Sequence, residues 1–148
     1  MIRSMRTEDI DEIVEIEKAC FNDAWSKEAI LSDFQNNDLS NYLVYEEDGK
    51  VAGYIFFWIT FDSATIVNLA VKEPYRKRKI ASNLLEECIR LCEEEGAEYL
   101  TLEVRVSNTA AIRLYEKYGF MTVNVKKGYY TDNYEDANYM IKPLGVSI

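Results

Sequence analysis

The stretch Ala64–Leu85, ATIVNLAVKEPYRKRKIASNLL, joins an apolar run, a loop carrying the consecutive cations Arg76, Lys77, Arg78 and Lys79, and the start of a helical stripe. Ala64 to Val71 carries apolar residues on both faces of the extended chain, which predicts a central, fully buried strand. Beyond the loop, Ile80, Leu84, Leu85, Cys88, Leu91 and Cys92 recur at helical spacing. Glu86, Glu87, Arg90, Glu93 and Glu94 fall on the opposite side, and Gly96 marks the end of that helix.

Strand and helix patterns also follow closely on one another on either side of this unit. Upstream, residues 2 to 6 read as a short strand. Thr7 is placed to cap a helix carrying Ile10, Ile13, Val14 and Cys20, and Trp25-Ser26 opens a second helix with Ile30, Leu31 and Phe34 inward. Tyr42 to Glu46 and Val51 to Thr60 read as strands, and the Asp48-Gly49 pair between them predicts a tight hairpin. Downstream, YLTLEVR alternates, with Leu100, Leu102 and Val104 on one face and Thr101 and Glu103 on the other. A helix over Asn108 to Tyr118 closed by Gly119, then strands at Phe120 to Val125 and Asn138 to Ile141, complete the chain. The expected architecture is α/β in the α+β sense, one domain over residues 1–148. It is a mixed sheet with helices on both faces.

Composition narrows the chemistry. The chain has no histidine, which excludes Ser-His-Asp and Cys-His nucleophile pairs and histidine-ligated zinc, so acid–base work falls to carboxylate, tyrosine, lysine, cysteine or water. Cys88 and Cys92 are spaced for one helix face, but no further ligand pair accompanies them, and core packing is the expected role. An odd count of 3 cysteines and no apolar run of spanning length lead to the expectation of a reduced, cytoplasmic protein away from membranes. The net charge of -9 argues against a nucleic-acid surface.

Within so acidic a chain, four cations before a helix start need a reason. A helix N-terminus presents unpaired N–H groups and partial positive charge, so lysine and arginine there repel one another until an anion arrives. Phosphate oxygens would satisfy both the N–H groups and the side chains. The run also admits two other readings, a basic address or nucleic-acid patch and a solvated loop. Its position between a buried strand and a helix disfavours the first.

The surroundings separate these readings. NLAVKEPYRKRKIASNLL from Asn68 to Leu85, LTLEVRVSNTAAIRLYEKYGF from Leu100 to Phe120 and KKGYYTDNYEDA from Lys126 to Ala137 resemble the GNAT acetyltransferases, in particular their RimI-type branch. Members of that branch acetylate the N-terminal alanine of a small-subunit ribosomal protein. The resemblance implies a GNAT fold with a mostly antiparallel sheet of six to seven strands and about four helices, acetyl-CoA as cosubstrate and no metal. It implies coenzyme contacts along Leu69, Ala70 and Val71, on the loop and helix start Arg76, Lys77, Arg78, Lys79, Ile80 and Ala81, and at Asn108. Glu103 is implied as the proton acceptor and Tyr115 as the donor to the leaving sulfur, with Tyr129, Tyr130 and Asp132 toward the acceptor peptide. On residue chemistry alone, a strand glutamate is equally a solvated carboxylate, Tyr115 a core aromatic and Asn108 a plain helix cap. One position departs from the family's loop pattern Q/R-x-x-G-x-G/A: Lys79 stands where glycine is expected. Rival functions are acetylation of lysine side chains or small amines, and a non-catalytic coenzyme-binding module.

Overall fold

The computed structural model describes residues 1–145. Seven strands, β1 (Ile2–Ser4), β2 (Ser40–Glu47), β3 (Lys50–Ile59), β4 (Ser63–Val71), β5 (Tyr99–Arg105), β6 (Met121–Lys126) and β7 (Ala137–Pro143), form one sheet in the order β1-β2-β3-β4-β5-β7-β6. Every neighbouring pair is antiparallel except β4 with β5. Four helices, α1 (Ile10–Cys20), α2 (Lys27–Asn36), α3 (Ile80–Glu94) and α4 (Thr109–Lys117), flank the sheet. The expected fold class is therefore the one observed, with seven strands and four helices.

Two apolar clusters lie on opposite faces. On one, Ile10, Ile13 and Val14 of α1 and Ile30 of α2 meet Tyr42, Val44, Tyr54 and Phe56. On the other, Leu84, Leu85, Cys88 and Cys92 of α3 meet Ile55, Phe57, Leu100 and Leu102, and Tyr115 of α4 joins them. Each fully buried Ile or Leu contributes on the order of 1.5–3 kcal/mol of transfer free energy, so the pair of layers carries the stability of the sheet. The two cysteines are packing residues, as expected, and burial raises the Cys88 thiol well above its ordinary range.

Turn chemistry behaves as the residues dictate. Asp48 and Gly49 both take positive φ, 53° and 75°, and close the β2–β3 hairpin, while Gly96 and Gly119 end α3 and α4 at φ 87° and 93°. Ser26 caps α2, its hydroxyl accepting the Ala29 N–H at 3.1 Å. Thr7 does not cap α1. It lies in a 3-10 turn over Thr7–Asp9, and Asp9 instead accepts the Arg6 N–H at 2.7 Å. Arg3 clamps that carboxylate with two bonds at 2.8 and 2.9 Å, which holds it in place and keeps its pKa below the usual range.

A second expectation is corrected at the centre of the sheet. The strand buried on both faces is β3, where Val51 to Phe57 are all buried, and not β4. β4 is central in strand order, yet Thr65, Val67, Asn68 and Leu69 are half-exposed. The cause is a divergence of its neighbour: β4 and β5 pair only at Ser63–Thr65 against Tyr99–Thr101, where the Thr65 and Thr101 hydroxyls bond at 3.0 Å, and then separate. A bulge assists, since Phe56 and Phe57 of β3 pair with Asn68 and Ile66, leaving Val67 as the extra residue that bends β4. Gly53 supports the far end of β4, because a Cβ there would lie 2.9 Å from the Ala70 carbonyl oxygen.

Candidate active site

A cavity of about 610 Å³ opens where β4 and β5 part. Its walls include Thr65 to Leu69 of β4, Leu102 to Arg105 of β5, and Asn108, Ala111 and Tyr115 at α4. The connection between α1 and α2 (Phe21, Asn22, Asp23, Trp25) and the one between β6 and β7 (Tyr129, Tyr130, Thr131) close the outer side. A second cavity of about 400 Å³ lies between the starts of α3 and α4, lined by Val71, Arg76, Lys77, Lys79, Ile80 and Ala81 with Ala110 and Leu114. Helix α4 therefore borders both.

The basic loop has the conformation that its expected glycine would provide. Lys79, the residue capping α3, is left-handed at φ 63°, ψ 19°, and Lys77 is left-handed at φ 65°. A non-glycine residue there costs on the order of 1 kcal/mol. No side chain caps the helix, and the backbone N–H groups from Lys77 to Ser82 have no acceptor among the described residues. The side chains diverge more than the sequence suggested. Arg76 folds back, its Nε donating to the Val71 carbonyl at 3.0 Å and its Nη2 lying 3.3 Å from Cys20 Sγ. Arg78 leans out over Tyr75 toward Glu47, 3.8 Å away, and does not line the cavity. What converges is the backbone: a row of N–H donors at a helix start, with Lys77 and Lys79 beside it, fits a diphosphate. The β4 edge facing β5 beyond Thr65 has no strand partner and fits an extended amide chain such as pantetheine. Leu69 lines the larger cavity and Val71 the smaller, whereas Ala70 is buried against the helices on the other side.

Glu103 points into the larger cavity from the polar face of β5. Its Oε1 accepts Lys126 Nζ at 2.7 Å, while Oε2 has no donor among the described residues. Lys126 lies 4.6 Å from the Tyr139 ring centroid, and the bond to Glu103 raises its pKa. Tyr115 is 6% exposed and packs edge-on to Phe120, with ring centroids 5.4 Å apart. Its hydroxyl has no internal partner among the described residues, and burial raises its pKa, so it stays protonated at neutral pH. Asn108 caps α4 through Oδ1, 3.2 Å from the Ala111 N–H, and its amide nitrogen has no partner among the described residues. Tyr129 and Tyr130 stand in the cavity wall. Asp132 instead pairs with Arg105 at 2.9 Å.

Two residues escaped the sequence reading. Glu17 is fully buried beneath the cavity, where it accepts from Asn68 Nδ2 at 2.6 Å, Tyr54 hydroxyl at 2.7 Å and Trp25 N–H at 2.9 Å, and burial raises its pKa. Its position on the Ile10, Ile13, Val14 stripe was the available signal: a carboxylate at an inward helical position needs partners. Arg105, sharing the polar face of β5 with Glu103, faces Asp23, Asp132 and Glu135 at 3.4, 2.9 and 3.3 Å. Nothing local announced that arrangement.

A parted sheet with an open strand edge, a helix start whose N–H groups lack acceptors among the described residues, and an adjoining groove with a carboxylate and a buried phenol is the architecture of a coenzyme-A-dependent acyltransferase. The family profile described as "Acetyltransferase (GNAT) family" matches residues 10–120, and the chain belongs to that family. It is an acetyl-CoA-dependent N-acetyltransferase. Among its relatives is a Bacillus subtilis protein provisionally named a ribosomal protein bS18-alanine N-acetyltransferase, 44% identical over 94% of this chain and 92% of that one. The Escherichia coli K12 ribosomal protein bS18-alanine N-acetyltransferase is 35% identical over 98% of both chains. The crystal structure of the Escherichia coli ribosomal-protein-S18-alanine N-acetyltransferase superposes with a TM-score of 0.90 at 33% identity, covering 100% of this chain and 96% of that one. These relatives place the chain in the RimI-type branch that its motifs resemble.

Proposed function

We propose that the acceptor is the α-amine of a protein N-terminus, and specifically the N-terminal alanine of a small-subunit ribosomal protein. The observation that carries this reading is the groove beside Glu103, walled by Tyr129 and Tyr130 and rimmed by Asp23, Asp132 and Glu135 around a lone Arg105. Such a rim leaves excess negative charge to attract a cationic amine and a basic peptide. Likeness to relatives named for this acceptor, across nearly their full length, points the same way.

Acetyl-CoA supplies the acetyl group as an activated thioester. The N–H groups of Lys77 to Ser82 hold the diphosphate, the free edge of β4 at Leu69 to Val71 aligns the arm, and the amide nitrogen of Asn108 faces it. An α-amine has a pKa of about 7.7–8.0, so at neutral pH it arrives mostly protonated and needs a base. Glu103 is that base, through the oxygen that Lys126 leaves free, and Tyr115 gives its proton to the departing sulfur.

The acceptor is tested by offering acetyl-CoA with alanine-initiated peptides, amino-blocked lysine peptides and polyamines. Acetyl transfer to the alanine peptide at the highest kcat/KM is expected. Preference for lysine or polyamine would remove the N-terminal assignment, and no saturable acetyl-CoA binding would favour an interaction module.

The loop makes a separate prediction. Lys79→Gly removes about 1 kcal/mol of left-handed strain but adds unfolded-chain entropy of about 0.4–1 kcal/mol, so the melting midpoint should move by less than about 3 °C. Coenzyme affinity should be kept or improved, because the N–H groups stay in place. Lys79→Ala retains the strain without the charge and should bind more weakly. Calorimetric titration with acetyl-CoA distinguishes them, and an equal loss in both variants would assign the contribution to the lysine charge rather than to the backbone.

A further inference from the structure

We propose that Arg105 is a positioning residue that sets the acceptor groove by tying its two walls together, an inference that rests on the acceptor site described above. One wall is the α1–α2 connection, which carries Asp23. The other is the β6–β7 connection, which carries Tyr130, Asp132 and Glu135. Among the described residues no hydrogen bond or ion pair runs directly between these connections. Arg105 reaches both: its Nη2 donates to Asp132 at 2.9 Å and forms an ion pair with Asp23 at 3.4 Å, and its Nη1 donates to Asn133 Oδ1 at 3.1 Å and to Glu135 at 3.3 Å.

The guanidinium carbon also lies over Tyr130, 3.9 Å from the ring centroid, so the same group that joins the walls places an aromatic side chain of the groove. Glu135 extends the chain of contacts, its second oxygen accepting the Ser107 N–H at 2.8 Å just before Asn108 caps α4. A planar fork that serves two connections and a ring at once is a geometry lysine cannot reproduce. Rooted on the rigid end of β5 with its side chain only 18% exposed, Arg105 is fixed relative to Glu103 on the same strand face. Groove width and the register of an acceptor against the base therefore depend on one side chain that need not touch the reacting atoms.

The test uses the full chain, with Arg105→Met and Arg105→Lys. In amide hydrogen exchange, Arg105→Met should speed exchange by about tenfold or more in residues 21–25 and 129–136 together, leaving α3 unchanged. With an alanine-initiated peptide as acceptor, its KM should rise by roughly 10–100-fold while saturated kcat and the acetyl-CoA KM stay within about threefold. Alanine amide, too short to span both walls, should lose little, and Arg105→Lys should recover part of the peptide KM. Unchanged exchange in both connections, or equal losses with peptide and alanine amide, would overturn the proposal. If Arg105→Met does not fold, Asp23→Ala removes the contact between Arg105 and the α1–α2 connection, and an unchanged peptide KM in it is equally decisive against the idea. Wild-type protein inert toward every N-terminal peptide would refute the acceptor assignment instead, and the exchange result would still decide the role of Arg105 in joining the walls.

Discussion

Glu103→Gln is expected to lower kcat by about 10²–10⁴-fold, the range for loss of a positioned general base, while acetyl-CoA affinity stays as it was. The substitution is nearly isosteric and keeps an oxygen for Lys126, which bonds Oε1 at 2.7 Å, so the wall of the cavity should not move. What disappears is a group able to accept the acceptor's proton. The surviving reaction then draws only on amine that is already unprotonated, and its rate should climb about tenfold per pH unit below about pH 7.7 before levelling off. Steady-state kinetics across pH 6–9, with calorimetric titration of the coenzyme, checks both halves. Turnover and pH profile matching the wild type would disqualify Glu103 as the base.

Tyr115→Phe should have the second-largest effect, a fall in kcat on the order of 10²-fold with the fold intact. The ring remains to pack against Phe120, and the hydroxyl that is lost has no internal hydrogen bond among the described residues, so little stability depends on it. Burial raises the Tyr115 pKa, which widens its gap to an ordinary thiol and makes proton transfer uphill when judged by solution values. On the proposed mechanism the departing sulfur would lie in the cavity that Tyr115 lines, however, and burial there would raise a thiol's pKa as well. The diagnostic is therefore the leaving group. With an acyl donor whose thiol is more acidic, Tyr115→Phe should recover much of its rate, because that sulfur needs no proton to depart. An equal deficit with both donors would show that the phenol acts by packing and not as an acid.

The alternation of YLTLEVR placed Glu103 opposite the buried Leu100, Leu102 and Val104, and the burial pattern of β5 agrees. The four-cation loop located the helix start where the N–H groups have no acceptor among the described residues, although its side chains spread apart instead of converging. Asp48-Gly49, Gly96 and Gly119 marked chain reversals because each supplies a positive φ that few other residues adopt cheaply.

All of these are short-range properties: a side-chain period of 2 or 3.6, a dihedral preference, a helix end lacking acceptors. The chain alone therefore specified the elements and their inward faces, and it pointed to an anion at the start of α3. Assembly settled the rest. Two-sided burial passed from Ala64–Val71 to Val51–Phe57 because β5 parts from β4 after Thr65, and that parting is what opens a cavity in the middle of the sheet. Thr7 went into a 3-10 turn whose Asp9 carboxylate is clamped by Arg3, Glu17 acquired Asn68 from a distant strand, and Arg105 gathered carboxylates from two separate connections. Each of these depends on groups far apart in the chain meeting at hydrogen-bonding distance, a condition that no local pattern encodes.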